Sequence, residues 1–273
     1  MSDGRAQEED RIRLHPRFAS GYLSTRRDVI VYLPPGYGAA GARFPVLYLQ
    51  DGQNLFDPAT AFGGRDWRAS DTADSLIRRG AIEPLILVGI YNTGVRRISE
   101  YTPTRDRRLR KGGKGDRYAE MLVRELKPFI DHEYRTRKSA EHTGVGGSSL
   151  GALVSLQAGL LYPRVFGKLA ILSPSVWWDE RSILTIVRSY RFPQRPRIWL
   201  DAGTAEGGNG QAVIEDLRLL RAALVEKGWS EGADLRYSEI AGAEHNESAW
   251  GSRLGSVLEY LYAGAQTPSK LTK

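Results

Sequence analysis

The sequence predicts an α/β fold, a mostly parallel central sheet with helices on both faces, and three observations carry that expectation. Short β-like runs alternate with amphipathic helical stretches along the chain. Two of the runs, "FPVLYLQDGQ" and "PLILVGIYN", are almost continuously apolar, as strands covered on both faces are. A chain of 273 residues, 41% apolar and 10% aromatic, is long enough to close one sizeable core.

The elements follow in order. "RDVIVYLPPGYG" (27–38) reads as an edge strand closed by Pro34, Pro35 and glycines. Residues 44–53 form a buried strand that runs into a turn at Asp51-Gly52. "DWRASDTADSLIRRG" (66–80) reads as a helix ending on Gly80, a suitable residue just past a helix C-terminus. Residues 84–92 give the next strand. "YAEMLVRELKPFIDHEY" (118–134) is helical, with Leu122, Leu126 and Phe129 on one stripe, and Pro128 is expected to kink or restart it. Strands at "EHTGVGG", "KLAILS", "RIWLDAG" and "DLRYSEI" then alternate with helices at 149–162, 211–228 and 248–262. There is no internal repeat and no linker. Residues 1–24 are read as an N-terminal extension with a first strand, 25–262 as one catalytic domain and 263–273 as a flexible C-terminal tail.

Composition excludes several function classes. With no cysteine, disulfides, thiolate chemistry and Cys-based zinc sites are ruled out. No run of 18 apolar residues exists, and "MSDGRAQEEDRIRLHP" lacks the apolar stretch of a secretory signal, so the expectation is a cytoplasmic protein without membrane attachment. Most of the +7 net charge comes from residues 96–117, which carry nine basic and three acidic side chains. Without stacking aromatics in its basic core, that run reads as a long, unstructured, solvated loop near 102–117 rather than a nucleic-acid site. No HExxH, His pair at ligand spacing or phosphate-binding loop appears, so no metal or cofactor is expected.

Gly147-Ser148-Ser149-Leu150-Gly151 matches G-x-S-x-G. Chance alone would supply on the order of 0.2 such matches in a chain this rich in glycine, so context decides. The pentapeptide follows a strand and opens a helix, the setting of a nucleophile elbow. Ser149 sits at the apex, at a helix N-terminus that favours negative charge, and Ser148 helps line the turn. A serine hydroxyl needs a base. Of His15, His132, His142 and His245, only His245 lies in a late loop between the last strand and the last helix. The acid that orients it should come between the two. "RIWLDAGTAEGG" offers Glu206 in the loop, preferred here, and Asp201 at the strand end as the alternative. For the oxyanion, Leu150 supplies one backbone N–H and Gln53, after the third strand, is the expected second donor. Trp67, Trp177, Trp178 and Trp250 are candidates for a cleft lining. Trp177 and Trp178 are the pair of most interest, since neighbours in a loop do not easily both point inward.

Together with "VLYLQDGQNLFD", "WRASDTAD", "NTGVRRISEYTP", "ELKPFIDHEYRT", "LSPSVWW", "LDAGTAE" and "GAEHNESAW", these pieces resemble the "putative esterase" family of α/β-hydrolases. That family includes enterochelin esterases, feruloyl and acetyl-xylan esterases of carbohydrate esterase family 1, S-formylglutathione hydrolase (esterase D) and antigen 85 mycolyltransferases. The resemblance runs from about residue 25 to 262. It implies an α/β-hydrolase fold and a serine esterase with Ser149 as nucleophile, His245 as base, Glu206 as acid and Gln53 as oxyanion donor. It implies no cofactor, and a small-molecule ester as the partner. Arg97, Glu100 and Tyr101 match a recurring element whose charged pair is expected to brace the cleft or bind substrate. Two rivals share the same features: an acyltransferase with identical machinery, and a non-catalytic binding protein on the same fold.

Overall fold

The computed structural model describes residues 11–264, so the first ten residues and the expected tail from 265 onward lie outside the described residues. Eight strands form one sheet. They are β1 (Ile12–Phe18), β2 (Arg27–Tyr32), β3 (Val46–Gln50), β4 (Ile86–Ile90), β7 (Thr143–Ser148), β8 (Lys168–Leu172), β9 (Arg197–Gly203) and β10 (Leu235–Ile240). Their order is β1-β2-β4-β3-β7-β8-β9-β10, with β1 and β2 antiparallel to their neighbours and every pairing from β4 onward parallel. A separate two-stranded ribbon joins β5 (Arg105–Asp106) to β6 (Lys111–Gly112).

The helices are α1 (Ala69–Arg78), α2 (Arg97–Glu100), α3 (Gly115–Met121), α4 (Lys127–Glu133), α5 (Leu150–Leu161), α6 (Trp178–Arg188), α7 (Gly210–Glu226) and α8 (Glu247–Tyr262). The two-residue period of a strand divides the core between the two faces of the sheet. On β3, Val46 and Tyr48 join the apolar cluster beneath α3 to α7, whereas Leu47 and Leu49 join the one beneath α1 and α8. All five residues of β3 and of β4 are buried, as their almost continuously apolar sequences require. From Leu150 to Leu160 every residue of α5 is buried, which makes it the central helix of the molecule.

Three expectations are corrected. Residues 27–38 do not form an edge strand: β2 lies between β1 and β4, and β1 takes the edge. The edge role suits β1, which carries Pro16, a register shift between His15 and Phe18, and mostly half-exposed or exposed residues. The basic run is not unstructured, since it folds into the β5–β6 ribbon, pairs Arg108 with Glu180, and leads into α3. Pro128 neither breaks nor restarts the helix. Its ring would crowd the carbonyl of Arg124 four residues back, and a π turn at Leu122–Leu126 widens the backbone there, so α3 runs on into α4.

Candidate active site

Ser149 lies between the end of β7 and the start of α5 with φ 57° and ψ −125°. A side chain rarely adopts a positive φ, so this geometry must be held from outside. Its N–H donates to the Leu172 carbonyl at 3.0 Å, and its own carbonyl accepts from Leu153 at 3.1 Å and Ser175 at 3.2 Å. The flanking glycines allow the close approach this needs. A Cβ at Gly147 or Gly151 would come 3.0 or 2.9 Å from the Gln50 Cβ. The turn lifts the Ser149 hydroxyl clear of the sheet, within 3.3 Å of the Ser175 hydroxyl.

The loops after β9 and β10 are laced to each other, which carries Glu206 to His245. Thr204 N–H donates to the Ile240 carbonyl at 3.0 Å, and Ala205 N–H to that of Ala243 at 3.1 Å. The Gly242 N–H donates to Thr204 Oγ1 at 2.9 Å. Past His245, the Asn246 side chain caps α8 by accepting from the Ala249 N–H. The result is one line of hydrogen-bonding groups: Ser149 Oγ to His245 Nε2 at 2.9 Å, and His245 Nδ1 to Glu206 Oε2 at 2.8 Å. Trp250 meets the imidazole edge-on, ring centroids 4.8 Å apart.

Glu206 is only 1% exposed. Burial by itself would raise its carboxyl pKa, but hydrogen bonds from His245, Ser173 and the Gly203 N–H outweigh burial and hold it below the usual carboxylate value. Asp201 is turned elsewhere. Its Oδ2 accepts from Trp199 Nε1 at 2.8 Å and lies 3.5 Å from Arg253 Nε. Burial pushes this carboxyl up to about 6 against the opposing charge of Arg253. Of the two acids offered by the sequence, the structure brings Glu206 to the imidazole.

A cavity of about 420 Å³ opens beside Ser149, and Gln53, Ser148, Arg97, His245 and Trp250 all line it. Gln53 sits there in a single 3₁₀ turn, Gly52–Asn54. The N–H of Leu150 belongs to the first turn of α5, where no helical carbonyl is available to it. Arg97 and Glu100 do not pair with each other. Arg97 grips Asp51 with two hydrogen bonds, at 2.8 and 2.7 Å, and Glu100 meets Arg27 at 3.2 Å and accepts from Thr93 at 2.8 Å.

Three of the candidate tryptophans fall outside the cavity. Trp178 is 1% exposed and spends its indole N–H on the Thr104 carbonyl, while Trp67 is buried against Trp250 and lines a groove between α1 and α8. Trp177 is 54% exposed, in a different groove shared with Arg107 and Arg108. Adjacent in sequence, the two therefore differ in exposure, although their ring centroids lie 5.8 Å apart.

The sequence reading passed over Asp51, Asn54, Asn92 and Glu247, which line the same cavity. Asn92 donates to Asp51 at 2.7 Å and Asn54 to Glu247 at 2.8 Å. Burial raises the Glu247 carboxyl, with the Asp51 charge adding and Arg97 opposing. Their only signal was membership of quoted motifs, in "QDGQN", "NTGVRR" and "HNES". Among the described residues no group of three or more His, Asp or Glu side chains converges as metal ligands would, and no helix is long and apolar enough to cross a membrane.

This geometry has relatives. The chain is 29% identical over 252 residues to the uncharacterized protein YbbA of Bacillus subtilis (strain 168), spanning 89% of this chain and 95% of that one. It is 30% identical over 165 residues to a siderophore enterobactin esterase of Emericella nidulans, over 56% of this chain and 53% of the relative. In three dimensions it is similar to the enterobactin esterase FES from Shigella flexneri, with a TM-score of 0.74, 21% identity, and coverage of 92% of this chain and 58% of that one. The family described as "Putative esterase" matches residues 20–261, from the turn ahead of β2 almost to the end of α8. A match of that extent, on a mostly parallel sheet with a strained serine between strand and helix, places the chain in that family, as an esterase of the α/β-hydrolase fold.

Proposed function

We propose that the chain hydrolyses a small carboxylic ester through an acyl-enzyme on Ser149, with His245 as general base and then general acid and Glu206 as the orienting carboxylate. The observation that carries this reading is the unbroken line from Ser149 Oγ through both imidazole nitrogens to Glu206 Oε2. An ionised Glu206 keeps the imidazole proton on Nδ1, which leaves Nε2 free to accept the serine proton. The ester carbonyl oxygen points to the backbone N–H groups of Leu150 and Gln53. Ser149 Oγ bonds to the carbonyl carbon as its proton passes to Nε2. The tetrahedral adduct collapses, and His245 gives that proton to the departing alcohol. A water, deprotonated by His245, then attacks the acyl-enzyme and releases the acid, restoring the serine proton.

Asn54, Asn92, Arg97 and Glu247 share the cavity wall with Phe62 and Trp250, a mixed lining that supports a short or aryl ester with some polar groups over one with a long alkyl chain. A siderophore ester, a feruloyl or acetyl sugar and a small aryl ester all meet that description, and the first matches the activity for which the Emericella nidulans relative is named. The test is a panel of nitrophenyl esters of increasing chain length beside aryl and sugar esters, assayed on the wild type and Ser149→Ala. Short and aryl esters should turn over fastest, and the variant should lose several orders of magnitude in kcat. Undiminished turnover by Ser149→Ala would refute the proposal.

A further inference from the structure

Ser173 directly follows β8, with φ 46° and its N–H bonded to the Asp201 carbonyl at 2.7 Å. That left-handed backbone aims its hydroxyl at three partners. Trp250 Nε1 donates to it at 2.9 Å and Arg253 Nη2 at 2.9 Å, both from α8, while its own proton lies toward Glu206 Oε1 at 2.5 Å. An indole N–H and a guanidinium can only donate, and a hydroxyl has two acceptor positions and one proton. With both acceptor positions filled, the proton has one partner left, Glu206.

Resting on the esterase reading above, we propose that Ser173 is a positioning residue whose one-way hydroxyl, set by Trp250 and Arg253, keeps Glu206 ionised and its Oε2 turned to His245. Glu206 Oε1 receives two donors, Ser173 Oγ and the Gly203 N–H at 2.6 Å, so Oε2 is the oxygen left for the imidazole. Charged and titratable groups face this carboxylate from several elements: His245 from the loop before α8, Asp201 from β9 and Arg253 from α8. Glu247, at the start of α8, faces the cavity on the His245 side. Arg253, 6% exposed, is the cation of this buried group, reaching Asp201 with Nε and Ser173 with Nη2. The helix that follows His245 thereby also fixes the proton that steadies its partner.

Without the Ser173 hydroxyl the carboxylate loses a donor and becomes more basic, so the His245–Glu206 pair takes up a proton at higher pH. The test follows the downfield Nδ1 proton of His245 by NMR across pH, together with the acid limb of kcat/KM, in wild type, Ser173→Ala and Ser173→Gly. Glycine relaxes the positive φ while also removing the hydroxyl, so it guards against a variant that fails to fold. Both variants should raise the midpoint by about one pH unit. Both should also lower kcat by about tenfold or more, with little change in KM. A folded variant lacking the hydroxyl whose midpoint stays within about 0.2 units of wild type overturns the proposal. Failure of the esterase reading would look different: no hydrolysis and no labelling of Ser149 by a fluorophosphonate in the wild type, while the NMR midpoint still decides the role of Ser173.

Discussion

An imidazole can serve a serine only in the tautomer that leaves Nε2 bare, and in the proposed mechanism one buried carboxylate, Glu206, decides that tautomer. Glu206→Gln keeps the shape of the side chain but lets its amide donate to Nδ1, favouring the wrong tautomer; kcat should fall by about 10³–10⁴-fold, read in steady-state assays at neutral pH. Ser149 and His245 could be picked out from sequence because each occupies a local signature, an elbow turn and a loop between the last strand and helix. Glu206 and Asp201 remained alternatives because they leave the same strand, and only the lacing of Thr204 and Ala205 to the β10 loop turns one of them toward the imidazole. Glu247 and Asn54 lay in quoted motifs, but nothing local announced their pairing, since they meet across 193 residues of chain. Trp67 and Trp178 show the opposite failure. Residue type suggests a ligand platform, but direction depends on packing that no short pattern encodes.

At the scale of elements, the elbow depends on two missing side chains. A methyl at Gly151 would stand 2.9 Å from the Gln50 Cβ and 3.1 Å from an Asp51 carboxylate oxygen, so Gly151→Ala should force β3 and α5 apart. The expected cost is about 1–3 kcal/mol in denaturant unfolding, with activity reduced more than stability because the nucleophile moves. Leu153→Ala, inside the buried stretch Leu150–Leu160 of α5, should cost about 2–5 kcal/mol and leave the residual active fraction with a normal KM. Strands β3, β4 and β8 were legible because short, almost unbroken apolar runs admit few other readings, whereas β7, β9 and β10 were legible only from their alternation with helices. Helix α6 was not, because Asp179, Glu180 and Arg181 have φ of 44°, 55° and 65° and the apolar period resumes only beyond them. The β5–β6 ribbon was hidden by its charge, since glycine and arginine suggest solvent until a partner such as Glu180 is seen beside them.

Across the whole molecule, two buried carboxylates pull stability in opposite directions with pH. Glu206 is held below its unfolded value of 4.5, so it contributes stability that is present above that value and lost as pH falls through its folded pKa. Asp201 is raised from 3.8 to about 6, so between those values the folded state binds more protons than the unfolded chain and stability drops as pH rises. Asp201→Asn should therefore flatten the loss of stability between about pH 4 and 6, measured by urea unfolding at closely spaced pH values; an unchanged slope would contradict the assignment. The two-faced core explains why the fold class was legible from length and alternation alone: strands buried on both faces require helices on both sides. Sheet order was harder to read, because β1 takes the edge through an antiparallel pairing with β2 that no parallel crossover pattern announces.

The most direct measurement is mass spectrometry of the intact and digested protein after brief exposure to a fluorophosphonate. One adduct per chain is expected, on the peptide containing Ser149, forming at least a hundredfold more slowly in His245→Ala, on the order of the loss when a general base is removed. A folded wild-type chain that stays unmodified, or an adduct on any other residue, would contradict a serine at this elbow activated by His245 and Glu206.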